Sequence, residues 1–153
     1  MRITAKADYA LRAMAELARV EGATVSAEQL SEAQDIPVRF LLLILRELRH
    51  HRLVVSVRGR DGGYELARPA AEITLADVLR AVEGPLVSVR DLPLTGLSYP
   101  GAAEVLPDVW RAVRTSLRRV LEHVTLADLA AGDLPPAVRA HAQEYREDSR
   151  HKP

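Results

Sequence analysis

After residue 50 the spacing of apolar side chains changes from a helical period to an alternating one. That switch constrains the chain more than any other feature. Phe40, Leu41, Ile44, Leu45 and Leu48 form one stripe of a helix that starts at Pro37, where a first-turn proline is tolerated, and runs through Arg49. Leu53, Val55 and Val57 then alternate with Val54, Ser56 and Arg58, which predicts a strand with the first three on one face. Asp61-Gly62-Gly63 supplies a hairpin turn, and Tyr64, Leu66 and Arg68 form a return strand closed by Pro69.

Two helices precede this switch. Over 5–20, Tyr9, Ala10, Ala13, Met14, Leu17 and Ala18 fall at helical spacing, with Gly22 as a stop. Ser26-Ala27-Glu28-Gln29 is a capping-box pattern, opening a short helix with Ala27, Leu30 and Ala33 inward that ends by Asp35. Three helices followed by a hairpin is the winged helix-turn-helix order. A helix over 74–83, with Leu75, Val78, Leu79 and Val82 inward and Gly84-Pro85 as its stop, completes a DNA-binding domain over 1–84.

No period runs through 85–104, where Pro85, Pro93, Pro100, Gly96 and Gly101 gather; this long loop is either functional or disordered and is assigned as an effector or hinge segment. A strong helix resumes over 107–124, with Val109, Val113, Ser116, Leu117, Val120 and Val124 as its stripe. A lone helix cannot bury such a stripe, which points to a dimer contact through Val109, Val113, Leu117, Val120 and Val124; packing against its own domain is the alternative. Thr125-Leu126-Ala127-Asp128 begins a final short helix, so 105–131 holds the dimerisation helix and its successor, and 132–153 reads as a flexible polar tail. The expected fold is mainly α with a small β-hairpin: a winged helix-turn-helix domain plus a long dimerisation helix.

Composition narrows the function. The 153 residues include no cysteine, which excludes disulfides, Cys-based zinc sites, thiol nucleophiles and thiolate-held iron–sulfur clusters. No apolar run approaches the roughly 18 residues of a membrane helix, and the opening Met-Arg-Ile-Thr-Ala-Lys lacks a signal core, so a cytoplasmic protein without membrane contact is expected. His50, His51, His123, His141 and His151 form no metal-ligand spacing and no dyad with a nucleophile, so no catalytic residues and no metal are assigned and an enzyme is not expected. Net charge is zero, yet 36–68 carries seven arginines against three carboxylates. A local basic patch in a neutral chain is the footprint of a phosphate-binding face.

In a helix-turn-helix the second helix of the motif presents its outward residues to base edges. Those residues are Arg39, Leu42, Leu43, Arg46, Arg49 and His50. Arginine can bond guanine in bidentate fashion or neutralise a phosphate. Leu42 and Leu43 would touch thymine methyls, pack on a further element, or bind another protein. Arg58, Gly59 and Arg60 occupy the hairpin tip, where glycine permits close approach and a narrow minor groove attracts arginine. Ser26 heads a helix whose free amides can take a phosphate, or it acts only as a cap.

Several segments together resemble the Rrf2 family of bacterial regulators. They are Met1-Arg2-Ile3-Thr4 with Tyr9-Ala10-Leu11-Arg12-Ala13, the Ser56-Val57-Arg58-Gly59 to Gly62-Gly63-Tyr64 wing, Leu66-Ala67-Arg68-Pro69, Ile73-Thr74-Leu75-Ala76-Asp77-Val78, Ala81-Val82-Glu83-Gly84-Pro85 and Val124-Thr125-Leu126-Ala127-Asp128-Leu129. The resemblance spans roughly 1–131. It implies a homodimeric transcriptional regulator, with repression the expected sign, bound to a partly palindromic double-stranded operator through third helix and wing. Arg58 would then enter the minor groove while Arg39, Leu42 and Leu43 face bases.

Cluster-binding members of that family carry three cysteines in the loop after the Glu-Gly-Pro segment, sometimes joined by an acidic residue on the first helix. Asp8 stands at that acidic position here, but the loop has no thiol. Asp8, Asp91, Tyr99 and Glu104 are poor ligands for a sulfide cluster, so no cofactor is expected and the chain resembles the cysteine-free branch, akin to the cysteine-metabolism repressor. Its signal would be a small molecule or partner protein, with Asp8, Asp91, Tyr99, Glu104 and Trp110 as the effector candidates; a packed hinge is the alternative for the loop. The competing functions are an iron–sulfur or redox sensor with non-cysteine ligands, and a winged-helix adaptor that binds protein through Leu42 and Leu43.

Overall fold

The computed structural model describes residues 2–150; Met1, His151, Lys152 and Pro153 lie outside the described residues, the last three being the end of the expected tail. The chain order is α1 (Ala5–Arg19), α2 (Ala27–Gln34), α3 (Val38–His50), β1 (Val54–Val57), β2 (Gly63–Leu66), α4 (Leu75–Glu83), α5 (Leu106–Leu121), α6 (Leu126–Ala131) and α7 (Pro136–Arg150). β1 and β2 pair antiparallel, with Val54 opposite Leu66 and Val57 opposite Gly63. The mainly helical fold with one hairpin is as the sequence predicts.

α1 is the centre of the core and packs on α2, α3, α4, α6 and β2. Its buried face is Ala7, Ala10, Ala13, Met14, Leu17 and Ala18, and the four alanines at that spacing let neighbouring helices approach closely. The local signals work as read. Ser26 Oγ accepts from the Gln29 amide while Gln29 Oε1 accepts from the Ser26 amide, and Thr74–Asp77 and Thr125–Asp128 form equivalent boxes. Asp35 closes α2 in the left-handed conformation with φ 51°, which lets Pro37 start α3 after a very short turn.

Four expectations need correction. Val54, not Val55 or Val57, is the buried residue of β1, and Val55 and Val57 are exposed. Leu53 and Val54 are both apolar, so either phase of the alternation satisfies the sequence and the packing on α3 selects the one with Val54 inward. Ala33 lies on the exposed side of α2. Val124 is not on the dimerisation helix: α5 ends at Leu121, and Val124 is 2% exposed in the protein's own core. Its carbonyl accepts from the Leu75 amide at 2.9 Å while the Leu126 amide donates to the Ile73 carbonyl at 2.9 Å, a short antiparallel bridge that returns the chain to α4 and seats α6 on α1. α6 therefore belongs to the winged-helix core rather than to α5. Finally, 136–150 is helix, not irregular tail. Pro136 is tolerated in its first turn. Arg139 donates to Asp133 and to the Leu134 carbonyl just ahead of the helix, and Gln143 to Glu147 along it.

Candidate nucleic-acid interface

The third helix and the hairpin are locked to one another by side chains at their bases. Arg49 Nη1 donates to Ser56 Oγ at 3.2 Å, fastening the end of α3 to β1. Behind the hairpin, Val25 and Tyr64 exchange backbone hydrogen bonds of 2.9 and 2.8 Å, and Thr24 Oγ1 donates to the Asp61 carbonyl at 2.8 Å. The segment before α2 thus acts as a third, one-residue strand that braces the wing. Gly62 and Gly63 are needed for this closeness. A Cβ on Gly63 would lie 2.5 Å from the Val25 carbonyl oxygen, and one on Gly62 2.2 Å from that of Val57.

On this braced frame Arg39 and Arg46 stand exposed on α3, and Arg58 and Arg60 flank an exposed Gly59 at the wing tip. None of these four guanidinium groups has a hydrogen bond or ion pair with any described residue. By contrast Arg12, Arg19, Arg68, Arg80, Arg111, Arg118 and Arg139 each meet a carboxylate. The one acidic residue of α3, Glu47, is drawn off by Lys6 of α1 at 3.3 Å. The face therefore keeps a net positive charge, with Asp61 at the wing tip and Glu65 on β2 as its remaining carboxylates, which suits a polyanion. Arg49 is exposed but already engaged by Ser56. Ser26 is committed to its capping box and is half-buried. Leu42 and Leu43 are 44% and 58% exposed, so no further element among the described residues covers them.

Away from this face, α5 is held by a carboxylate shared between two helices. Glu122 accepts from Arg118 Nε at 2.9 Å and from Arg80 of α4. The hydrogen bond from Arg118 and then that from Arg80 hold the Glu122 carboxyl down at about 2. Pro107 is the only residue of α5 that is fully buried; Val109 is 50% exposed, and Val113, Leu117 and Val120 are half-buried. Leu117 also lines a groove of the chain itself, with Ile3, Leu79 and Leu121. The outward stripe on α5 is thus Val109, Val113 and Val120, with Leu117 at its inner margin.

The effector candidates are not gathered. Asp8 pairs with Arg12 at 3.1 Å, Asp91 sits in the exposed Val89–Leu92 turn with φ 60°, Glu104 is exposed ahead of α5, and Tyr99 and Trp110 are half-buried. Among the described residues no three His, Cys, Asp or Glu side chains converge in a way that could hold a metal ion. Nor is any helix among them long and apolar enough to cross a membrane.

Comparison with known proteins agrees with this arrangement. The profile of the Rrf2 family, described as an iron-dependent transcriptional regulator, matches residues 3–132. The chain is 55% identical, over 99% of its length and 96% of the other, to Rv1287 of Mycobacterium tuberculosis, provisionally named as an HTH-type transcriptional regulator. It is 33% identical to the HTH-type transcriptional regulator CymR of Bacillus subtilis, over 86% of this chain and 91% of that one. The solved structure of CymR, the global cysteine regulator of B. subtilis, superposes with a TM-score of 0.71 at 29% identity, covering 86% of this chain and 97% of that one. IscR from T. potens gives the same TM-score at 32% identity, over 86% and 88%. The iron in the family description does not fit this sequence: the chain has no cysteine, and its loop carboxylates stand apart.

Proposed function

The chain belongs to the Rrf2 family of transcriptional regulators, which are not enzymes, and from that premise we propose that it is a homodimeric repressor that binds a partly palindromic operator and answers to a signal other than an iron–sulfur cluster. The observation that carries the DNA-binding part is the set of four unpaired arginines, Arg39 and Arg46 on α3 and Arg58 and Arg60 on the wing, held on one braced frame. α3 lies in the major groove in this reading, with Arg39 and Arg46 directed to base edges or phosphates and the exposed Leu42 and Leu43 placed to meet thymine methyls. The wing places Arg58 in the adjoining minor groove, where narrowing concentrates negative potential. Two copies joined along α5 present two such faces to half-sites about one helical turn apart.

Titration of the purified protein against the promoter fragment upstream of its own gene, at several salt concentrations, tests the reading. A saturable complex is expected, with log affinity falling linearly against log salt and a slope set by the number of phosphates neutralised. Binding to no neighbouring promoter beyond the level of random DNA would reject it. The exposure of Leu42 and Leu43 would then favour the adaptor, a winged helix whose third helix docks on protein.

A further inference from the structure

The loop after α4 does not lie flat on α5. Between them is a hollow of about 370 Å³ whose walls include Pro85, Val87, Pro93 and Leu94 from the loop and Arg111, Arg114 and Thr115 from α5. That volume is at the small end of the range found for small-molecule sites, and its lining of apolar walls with a few polar groups is typical of them. The two arginines differ in what they already do. Arg111 is spent on Asp108 at 2.7 Å and on the Leu94 carbonyl at 3.4 Å, contacts that pin the loop to the helix. Arg114 has no hydrogen bond or ion pair with any described residue, and neither do the hydroxyls of Thr95 and Thr115 in the same wall. Arg114 also faces an adjoining hollow beside Arg80 and Leu86.

We infer that this hollow binds a small organic anion, its carboxylate or phosphate head on Arg114 and Thr115 and its apolar body against Pro85, Val87, Pro93 and Leu94. A guanidinium offers a planar fork that matches either head group, and an apolar wall on one side selects an organic anion over an inorganic one. Among the described residues no carboxylate neutralises Arg114. The site is compatible with a dimer along α5. At roughly 100° per residue, Arg111, Arg114 and Thr115 point away from the side that carries Val109 and Val120. None of the residues that a reading of the sequence nominates for an effector contributes to the wall. That such an anion regulates DNA binding rests on the proposed function; the site itself does not.

Calorimetric titration of the full-length protein with phenyl phosphate, benzoate and inorganic phosphate tests the inference. Saturable binding of either aromatic anion is expected, weakened about tenfold or more in Arg114→Ala, as loss of a charge-assisted hydrogen bond implies. Arg114→Lys should fall between, and Arg39→Ala should bind as the parent does. The inference is overturned if neither aromatic anion saturates, if Arg114→Ala binds unchanged, or if inorganic phosphate binds as tightly as its phenyl ester. Operator binding measured on the same preparation separates the two claims. A protein that takes promoter DNA but neither aromatic anion overturns only the site, and one that takes the anion but no DNA keeps the site and loses the regulator.

Discussion

At the scale of single residues, free arginines and crowded glycines do different work in the wing. Arg58 makes no hydrogen bond or ion pair with any described residue, so its removal should leave folding unchanged and act only on a bound partner. Arg58→Ala is expected to weaken operator binding by about 1–3 kcal/mol if the side chain reads a groove, measurable by fluorescence anisotropy at fixed salt with thermal unfolding as control. An unchanged affinity would mean that the wing tip stays off the duplex. Gly63 makes the opposite case, because a Cβ there meets backbone that cannot swing aside. Gly63→Ala should cost about 1–3 kcal/mol of folding stability by overpacking, read from the urea midpoint. It should also loosen the wing, since the Val25–Tyr64 bridge is adjacent. A midpoint equal to the parent's would show that the hairpin shifts freely.

At the scale of elements, the Arg80–Glu122–Arg118 cluster joins α4 to α5 and sets a pH dependence whose sign follows from charge. The two guanidinium groups hold the folded Glu122 carboxyl at about 2, below its ordinary 4.5. A group with a lowered folded pKa stabilises the fold above its unfolded pKa and loses that contribution as pH falls toward the folded one. The melting temperature of the parent should therefore exceed that of Glu122→Gln by a constant margin above pH 5, and the margin should shrink between pH 4.5 and 2. A margin independent of pH would show that the carboxylate is not ionically coupled to the arginines. Elements of this kind were partly legible. α1 to α4 carry apolar stripes, capping boxes and stop signals that agree with their packing except at Ala33 of α2, and the Asp61-Gly62-Gly63 turn marks the hairpin. The face of β1 was ambiguous because Leu53, Val54 and Val55 are all apolar, leaving the choice to tertiary contacts. Val124 continued the α5 stripe in spacing, yet lies beyond the helix end, where periodicity has no meaning. α7 is not legible in the sequence because its supports are local polar pairs rather than a buried stripe. The four arginines are legible as a basic run, but that they are unpaired while seven others each meet a carboxylate is a property of the packed molecule. Arg114 was invisible as a site residue because the loop that faces it has no pattern to place it.

At the scale of the whole molecule, the question is what covers Val109, Val113 and Val120. They form an outward stripe on a helix held to its own domain through Pro107, Arg111 and the Glu122 cluster, so the side turned away from that domain is the one left for a second copy. The core of α1 to α4 and α6 is complete without α5's outer side, which separates assembly from folding. Val113→Asp places a charge in the middle of the stripe and should convert the proposed dimer to a monomer in sedimentation velocity while the unfolding transition of the core persists. A monomer engages one half-site at a time. Losing the second contact removes the gain in effective concentration, on the order of 10²–10⁴ in apparent affinity, so the operator complex should weaken by that order while the slope against salt falls to about half. The same substitution should leave a single half-site duplex bound as before, since Arg39, Arg46, Arg58 and Arg60 are untouched. A Val113→Asp protein that still sediments as a dimer would place the subunit contact elsewhere. A parent protein that is itself monomeric would leave each arginine face to act alone and remove the reason for a palindromic operator.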